Sequence, residues 1–264
     1  MFSTLFHTIL YQPIFNIFVW LYNVVPGSDT GVVILIITII IRIIVYPLTS
    51  SSIKAQKSMQ DIQPKMEEIK RKYKNDQQAQ ATAMMQMYKE NKVNPFSSCL
   101  PILIQLPILI ALYMVLRDGL ASNKLAENLY PFISNPESIK SVAFGFLELS
   151  KPNIILALLA GGAQYLQAKN MMDRKSPENA GAGAKDENMT AMMNKQMKYM
   201  MPVLTVVIGV SLPAGLTLYW FLSTILTWAQ QVFMGKKNDQ DKNANDESKK
   251  LANKNIIEGK VEDK

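Results

Sequence analysis

The chain has 264 residues, of which 48% are hydrophobic, and a formal net charge of +7. This length fits either one large soluble domain or a membrane protein with several spans. The single cysteine, Cys99, excludes an internal disulfide and a cysteine-rich metal site.

The distribution of apolar residues decides between these two classes. Apolar residues gather into long blocks, and charged residues gather between the blocks. Several blocks reach or approach the roughly 20 residues that a helix needs to cross about 30 Å of hydrocarbon. The sequence therefore predicts an all-α integral membrane protein. Juxtamembrane loops also explain the positive charge more simply than nucleic-acid binding, because basic residues flank the blocks and alternate with acidic ones.

The first predicted element covers residues 1–27, which are apolar and aromatic but interrupted by His7, Pro13 and Asn16. We expect an extracytoplasmic amphipathic helix that lies along the membrane interface, with a membrane span as the alternative. No Lys or Arg occurs in the first 41 residues. The basic region of a cleavable signal peptide is therefore missing, and we expect no part of the chain to be removed.

Five spans and their connections are predicted for the rest of the chain. Apolar residues at helical spacing on both sides of "KND" predict a cytoplasmic helical hairpin at 51–94. The break "SLPAG" divides the last apolar stretch into two spans. The predicted spans are TM1 (28–50), TM2 (95–117), TM3 (152–168), TM4 (199–212) and TM5 (213–234), with an extracytoplasmic loop at 118–151, a cytoplasmic loop at 169–198 and a disordered cytoplasmic tail at 235–264.

The basic residues predict the orientation of these spans. Lys and Arg number nine in residues 50–95, six in 169–198 and eight in the tail, against four in the loops on the other side. Positive residues accumulate in cytoplasmic loops. We therefore expect the N-terminus outside and the C-terminus in the cytoplasm.

The apolar run of TM1, residues 31–49, contains one charged residue, Arg42, among isoleucines. Helical spacing puts Thr38, Tyr46 and Thr49 on the face of Arg42. An arginine near the centre of a span costs roughly 2.5 to 3.5 kcal/mol on insertion scales, so this face must turn toward protein or water. Snorkelling is the alternative, although a depth of about 12 Å is far for one side chain. Within their apolar runs, which in TM1 is 31–49, none of the five predicted spans contains an Asp or Glu to pair with Arg42. Asp29 precedes that run, where it can cap the helix.

Other predicted spans carry uncharged polar residues. Gln105 lies in TM2, and Gln164 and Gln167 are three residues apart in TM3. Each set alone is compatible with hydrogen bonds between helices. Together with Arg42 they indicate a wet, positively charged cavity that attracts anionic groups. The polar residues on one side of TM5 are Trp220, Ser223, Thr224, Thr227 and Gln231.

Catalytic motifs are missing from the sequence. It has no Ser-His-Asp set, no HExxH motif and no P-loop, and its only histidine, His7, is expected at the membrane interface. We therefore predict that the protein is not an enzyme and uses no metal or other cofactor.

Four stretches resemble the YidC, Oxa and Alb family of membrane protein insertases, and the resemblance covers about residues 2–235. Matches of this length, in this order, are more specific than a short motif. The stretches are "RIIVYPLT" at 42–49, "QPKMEEIKRKY" at 63–73, "MMQMYKENKVNPFSSCLPILIQLPILIALY" at 84–113 and "LPAGLTLYWFLSTILTWAQQ" at 212–231.

The resemblance implies a five-span core around a hydrophilic groove that is open to the cytoplasm and to lipid. The family's groove arginine falls on Arg42, and Thr38, Trp220 and Gln167 match further groove positions. The family's apolar slide along TM2 and TM5 falls on Leu106, Ile110 and Leu222. With the polar faces above, the predicted substrate-binding groove consists of Thr38, Arg42, Tyr46, Gln105, Gln164, Gln167, Tyr219, Trp220, Ser223 and Thr224.

The resemblance also implies the function. An insertase of the bacterial plasma membrane would draw hydrophilic segments of newly made membrane proteins into the groove and release their apolar helices to lipid. Implied partners are nascent membrane proteins and the lipid bilayer, with the Sec translocon, the ribosome and the signal recognition particle receptor as further candidates. No specific nucleic-acid sequence is expected as a partner. The chain shows neither the large extracytoplasmic domain of Gram-negative members nor the lipoprotein signal of Gram-positive ones, which predicts a short bacterial form.

The rival prediction is a transporter of small anions. Such a carrier would show paired repeats and discontinuous helices around a midplane site, and no repeat between the halves of the chain is visible. A membrane-embedded enzyme ranks third, because the apolar runs of the predicted spans contain no His, Asp or Glu.

Overall fold

A computed structural model of the protein describes residues 2–94, 100–120, 125–172 and 187–235. The described chain is mostly helical, as predicted. Several predicted regions lie wholly or partly outside the described residues: residue 1 of the first element, the start of TM2 at 95–99, residues 121–124 of the loop at 118–151, residues 173–186 of the cytoplasmic loop at 169–198, and the tail beyond residue 235.

The elements are numbered here in chain order. Helix α1 has three consecutive parts, Phe2–Phe6, a π-helical turn His7–Tyr11, and Gln12–Val24, and a short 3₁₀ turn follows at Pro26–Ser28. Two strands, β1 (Val142–Ala143) and β2 (Leu147–Glu148), pair antiparallel. The other helices are α2 (Thr30–Ile44), α3 (Tyr46–Asp61), α4 (Gln63–Lys72), α5 (Gln77–Glu90), α6 (Leu100–Leu120), α7 (Leu125–Asn128), α8 (Ile154–Met172), α9 (Glu187–Gly209) and α10 (214–235).

A bend separates α2 from α3, and the two helix axes differ by 66°. Val45 lies between them with φ −86° and ψ 1°, outside the helical range. Pro47 follows two residues later and has no backbone N–H to continue the ladder, and its ring crowds the carbonyl four residues before it. The predicted boundary at residue 50 falls inside α3, so the point where the chain leaves the membrane stays a prediction.

Helix α1 belongs to the core of the protein. It packs against α2 and α6, and Tyr11, Phe15, Phe18 and Val19 are fully buried. Burial of one large apolar side chain contributes about 1.5 to 3 kcal/mol. By length and composition the segment Thr4–Val24 could also cross a membrane, so the alternative of a span stays open beside the predicted interfacial helix.

Among the described helices, two are long and apolar enough to cross a membrane, Thr4–Val24 and Leu103–Leu120. The bent pair α2 and α3 makes a third if it is one span, and Lys198–Gly209 is a shorter apolar helix. The number of five spans therefore stays a prediction.

Helix α6 extends beyond the predicted end of TM2 at residue 117. It runs to Leu120 and so includes Asp118, which is 5% exposed. The Tyr11 hydroxyl donates to one Asp118 oxygen at 2.9 Å, and Arg117 Nε donates to the other at 2.9 Å. The candidate span Leu103–Leu120 therefore includes the Asp118 carboxylate, which the predicted end of TM2 at residue 117 leaves out. Which of these residues lie within the membrane stays a prediction.

The predicted loop at 118–151 contains the β hairpin, which corrects the all-α prediction at this one place. The segment is tied to α1, where Asn16 Nδ2 donates to the Asn128 carbonyl at 2.9 Å. It is also tied to the start of α10, because the backbone N–H of Gly215 donates to the Leu149 carbonyl at 3.0 Å. Residues 125–151 thus form an ordered cover over one end of the helices.

Helices α4 and α5 form a hairpin. Lys65 Nζ donates to Asn91 Oδ1 at 3.1 Å, and the Tyr88 hydroxyl contacts Met66 Sδ at 3.9 Å. These pairs require antiparallel helices. Asp76 caps α5, because its Oδ1 accepts from the backbone N–H groups of residues 78 and 79.

Asp29 ties the start of α2 to the β hairpin. Its Oδ1 accepts from the backbone N–H groups of Gly31 at 2.8 Å and Val32 at 3.1 Å, and its Oδ2 accepts from that of Phe144 at 2.6 Å. We expect Asp29→Ala to lower the free energy of unfolding by about 1 to 2 kcal/mol. At roughly 2 to 4 °C per kcal/mol, thermal unfolding in detergent should resolve this loss.

The matched variant Asp29→Asn keeps an oxygen that can cap α2 but places an amide against Phe144 N. It should therefore lose less stability than Asp29→Ala. A melting temperature for Asp29→Ala equal to that of the unsubstituted protein would contradict the assignment.

Candidate functional site

Arg42 lies in the last turn of α2, and its side chain is half-buried. Its Nη2 donates to Gln105 Oε1 on α6 at 3.4 Å and to Ser223 Oγ on α10. Three helices that are distant in sequence therefore meet at one guanidinium group.

Gln105 extends this network. Its Nε2 donates to the Tyr219 hydroxyl at 3.0 Å. Tyr219 and Ser223 are each 1% exposed, so both lie within the packed helices. The residues Arg42, Gln105, Tyr219 and Ser223 are called the Arg42 cluster below.

The partners of Arg42 are uncharged. Among the described residues, no carboxylate lies within salt-bridge distance of its guanidinium group. Asp118 follows Gln105 by thirteen positions on the same helix, which is about 20 Å along its axis. A buried charge is normally paired or neutralised. Arg42 thus keeps a positive charge that no described protein carboxylate compensates.

Two predicted groove residues are satisfied within their own helices. The buried Thr38 hydroxyl donates to the Ile34 carbonyl at 2.5 Å, one turn away on α2. The Thr224 hydroxyl donates to the Trp220 carbonyl at 2.9 Å on α10. Back-bonding of this kind is common for Thr in helices and needs no partner from another helix. Both residues therefore lie near the Arg42 cluster in sequence without joining its hydrogen bonds.

The other residues of the predicted groove differ in their exposure and lie outside the Arg42 cluster. Tyr46 follows the bend and is 48% exposed, and Trp220 is half-buried. Gln164 and Gln167 are half-buried on α8. Within the described part of the chain, neither glutamine makes a hydrogen bond to the Arg42 cluster.

A second polar contact, between α3 and α10, was not predicted in full. Gln230 Nε2 on α10 donates to Thr49 Oγ1 at 3.2 Å and to Ser50 Oγ at 3.1 Å. The sequence spacing is compatible with this contact, because Gln230 follows Ser223 by seven positions, or two helical turns, and so lies on the same face of α10. The polar side of α10 therefore extends from Tyr219 to Gln230.

The predicted slide residues differ in exposure. Leu106 and Ile110 are 48% and 50% exposed, and they lie one turn apart on α6. Leu222 on α10 is partly buried against the core. Leu106 directly follows Gln105 of the Arg42 cluster, so polar and apolar surfaces adjoin on α6.

Gln105 offers a test of the network. Gln105→Leu keeps the approximate volume but removes the acceptor for Arg42 and the donor for Tyr219. A hydrogen bond to a charged group contributes about 1.5 to 3 kcal/mol, and Ser223 still holds Arg42, so we expect a severalfold loss of the protein's activity.

Gln105→Glu is the matched control, since it keeps the shape but sets a carboxylate beside Arg42. If the free positive charge matters, Glu should impair activity more than Leu does. Full activity of Gln105→Glu would contradict this interpretation of the site.

Comparison with known proteins identifies relatives along most of the chain. The family model described as 60Kd inner membrane protein matches residues 20–242. A membrane protein insertase YidC of Fusobacterium nucleatum is 38% identical over 210 residues, which cover 80% of this chain and 88% of that protein. The YidC insertase of Clostridium tetani is 34% identical over 221 residues, which cover 83% and 87%.

Other relatives are much longer than this chain. The YidC insertase of Pelobacter propionicus is 33% identical over 233 residues, which cover 87% of this chain but 39% of that protein. A solved structure described as an active YidC insertase with the first transmembrane domain resolved is 27% identical, with a TM-score of 0.55. The match covers 85% of this chain and 45% of the solved one. The shared part is thus the helical region that contains the Arg42 cluster.

Proposed function

The chain belongs to the YidC family of membrane protein insertases, described also as 60Kd inner membrane proteins, and we propose that its Arg42 cluster receives an acidic, hydrophilic segment of a nascent membrane protein. The protein being inserted is called the client below. The insertases that this chain resembles are not catalytic enzymes in the usual sense, and we propose the same for it.

The strongest support for this proposal comes from the groups that contact the Arg42 guanidinium. Its guanidinium group is held by Gln105 and Ser223, both uncharged, so its charge remains available to an acidic client segment. A polar segment cannot cross about 30 Å of hydrocarbon unaided. A polar site part of the way across shortens the apolar distance, and the positive charge lowers the free energy of the segment within it.

The apolar part of the client needs a route into lipid. Leu106 and Ile110 are exposed on α6 beside Gln105, and Leu222 lies on α10 near Ser223. A client helix that leaves the Arg42 cluster along these residues stays in contact with apolar surface. Transfer of its side chains from water to lipid then supplies the driving force, so no nucleotide is required.

The orientation and the further partners are part of the proposal. With positive loops inside, the α4–α5 hairpin lies in the cytoplasm and the β hairpin lies outside. The groove then opens toward the cytoplasm, where clients are made. The cytoplasmic hairpin is the surface that we assign to contacts with the Sec translocon, the ribosome or the signal recognition particle receptor.

Depletion of the protein from its host tests the function. We expect newly made single-span proteins with short acidic N-terminal tails to accumulate uninserted, which protease protection of their tails would measure. Re-expression of the chain should restore insertion. Normal client insertion together with a loss of small-anion uptake would instead favour the transporter.

A further inference from the structure

The β hairpin presents two aromatic side chains at its tip. Phe144 and Phe146 are 42% and 82% exposed, and their ring centroids lie 6.5 Å apart. Phe144 has a φ of 54° and Gly145 a φ of 78°, so two successive residues adopt left-handed conformations. That conformation is unfavourable for a phenylalanine, and it holds the rings at the end of a very short hairpin.

The tip is fixed to the first turn of α2. The backbone N–H of Phe144 donates to Asp29 Oδ2 at 2.6 Å. Gly31 approaches so closely that a Cβ added there would lie 2.6 Å from both Ala143 Cβ and the Phe144 ring. The position of the tip relative to α2 is therefore set by the Asp29 carboxylate and by the packing of Ala143 and the Phe144 ring on Gly31.

The tip continues the exposed apolar surface of α2. Leu35 follows Gly31 by four residues, so it lies one turn along the helix on the side that faces Phe144. Leu35 is 38% exposed, and Ile39, one turn further, is 40% exposed. Helix α2 belongs to the predicted span TM1, so this surface would contact lipid. Phe144 lies at the end of this apolar surface, beside the first turn of α2.

We propose that the β hairpin is a membrane anchor whose two phenyl rings enter the boundary between headgroups and acyl chains of the adjacent leaflet. Aromatic side chains favour this depth. Short apolar projections bind the interface through the area that they bury there. Lys151, exposed after β2, would lie near anionic lipid headgroups. The anchor would hold the N-terminal end of α2 at a fixed depth in the membrane. Because Arg42 lies on the same helix, its depth would be fixed as well. It requires no client.

Fluorescence quenching in vesicles tests the anchor. A Cys99→Ser background that carries Phe146→Cys is labelled with an environment-sensitive dye. The protein is then placed in vesicles of phosphatidylethanolamine and phosphatidylglycerol. Ser138→Cys is the matched reference, because Ser138 is exposed in the same extracytoplasmic segment but lies outside the hairpin. We expect a lipid with a nitroxide on its upper acyl chain to quench the dye at position 146 and aqueous iodide to quench it severalfold less than at position 138.

Equal iodide quenching at the two positions, or no nitroxide quenching at position 146, would overturn the proposal. Both labelled residues are exposed, so the labels should leave the fold intact, and an unchanged melting temperature checks this. The measurement is independent of insertion activity. Its failure would leave the role of Arg42 untouched, and failure of the insertase proposal would leave the anchor standing.

Discussion

Replacement of Arg42 with alanine is expected to reduce insertion of a client with an acidic tail by about tenfold or more, whereas Arg42→Lys should keep most of the activity. Two unit charges 4 Å apart attract by about 1 kcal/mol in water and about 4 kcal/mol near a protein surface. A tenfold effect corresponds to about 1.4 kcal/mol, which lies within that range. Lysine keeps the charge but loses the planar fork of donors, so some loss is expected for it as well.

Protease protection of the client's tail, measured with each variant in depleted cells, gives the comparison. Ile44→Val is a suitable control, since Ile44 lies two residues away, is 68% exposed and belongs to neither the predicted groove nor the slide. Equal losses for Arg42→Lys and Arg42→Ala would contradict a role for charge and favour one for shape.

The largest effect on stability is expected at Gly161, where α8 and α9 pack together. A Cβ at Gly161 would overlap Val206 Cγ2 and would lie 3.1 Å from the Pro202 carbonyl oxygen. Pro202 is buried and its carbonyl cannot move freely, so Gly161→Val must push the helices apart. Overpacking of this kind costs about 1 to 3 kcal/mol. Thermal unfolding in detergent should show a clear decrease in melting temperature.

Gly162 provides the matched control one residue away. A Cβ there would meet no atom within 4 Å. Gly162→Ala should therefore be neutral, or more stable by up to about 1 kcal/mol because alanine favours the helix. Equal destabilisation by both substitutions would show that the effect comes from the helix backbone and would contradict the packing argument.

The sequence predicts Arg42, Gln105 and Ser223 as groove residues, because a charge inside an apolar run needs polar partners. Hydrogen bonds join the three side chains in the structure, and their role as a groove stays a prediction. Few polar residues exist in the apolar blocks, so the candidates were few. The same rule does not predict which hydroxyl groups remain free to form hydrogen bonds across helices. Thr38 and Thr224 bond to carbonyls of their own helices, and sequence spacing cannot distinguish that from a bond across helices.

Other features of the fold left weaker signals in the sequence. The β hairpin has strands of two residues each, too short for an alternating pattern to be visible. The sequence predicts the end of TM2 at residue 117, where a loop of mixed charge begins. In the structure the Tyr11 hydroxyl on α1 donates a hydrogen bond to the Asp118 carboxylate. The two residues are 107 positions apart in the sequence. The residues that neighbour Asp118 in the sequence give no information about such a distant partner.

The most direct test of the central claim combines a change in the client with a change in the protein. Purified protein in vesicles is given two clients that differ only in their tails, one with aspartates and one with asparagines in their place. The ratio of the two insertion rates is measured for the unsubstituted protein and for Arg42→Ala, as a double-mutant cycle. If Arg42 receives the acidic segment, the protein should show an advantage for the acidic tail that Arg42→Ala loses. The same ratio in both proteins would contradict the account.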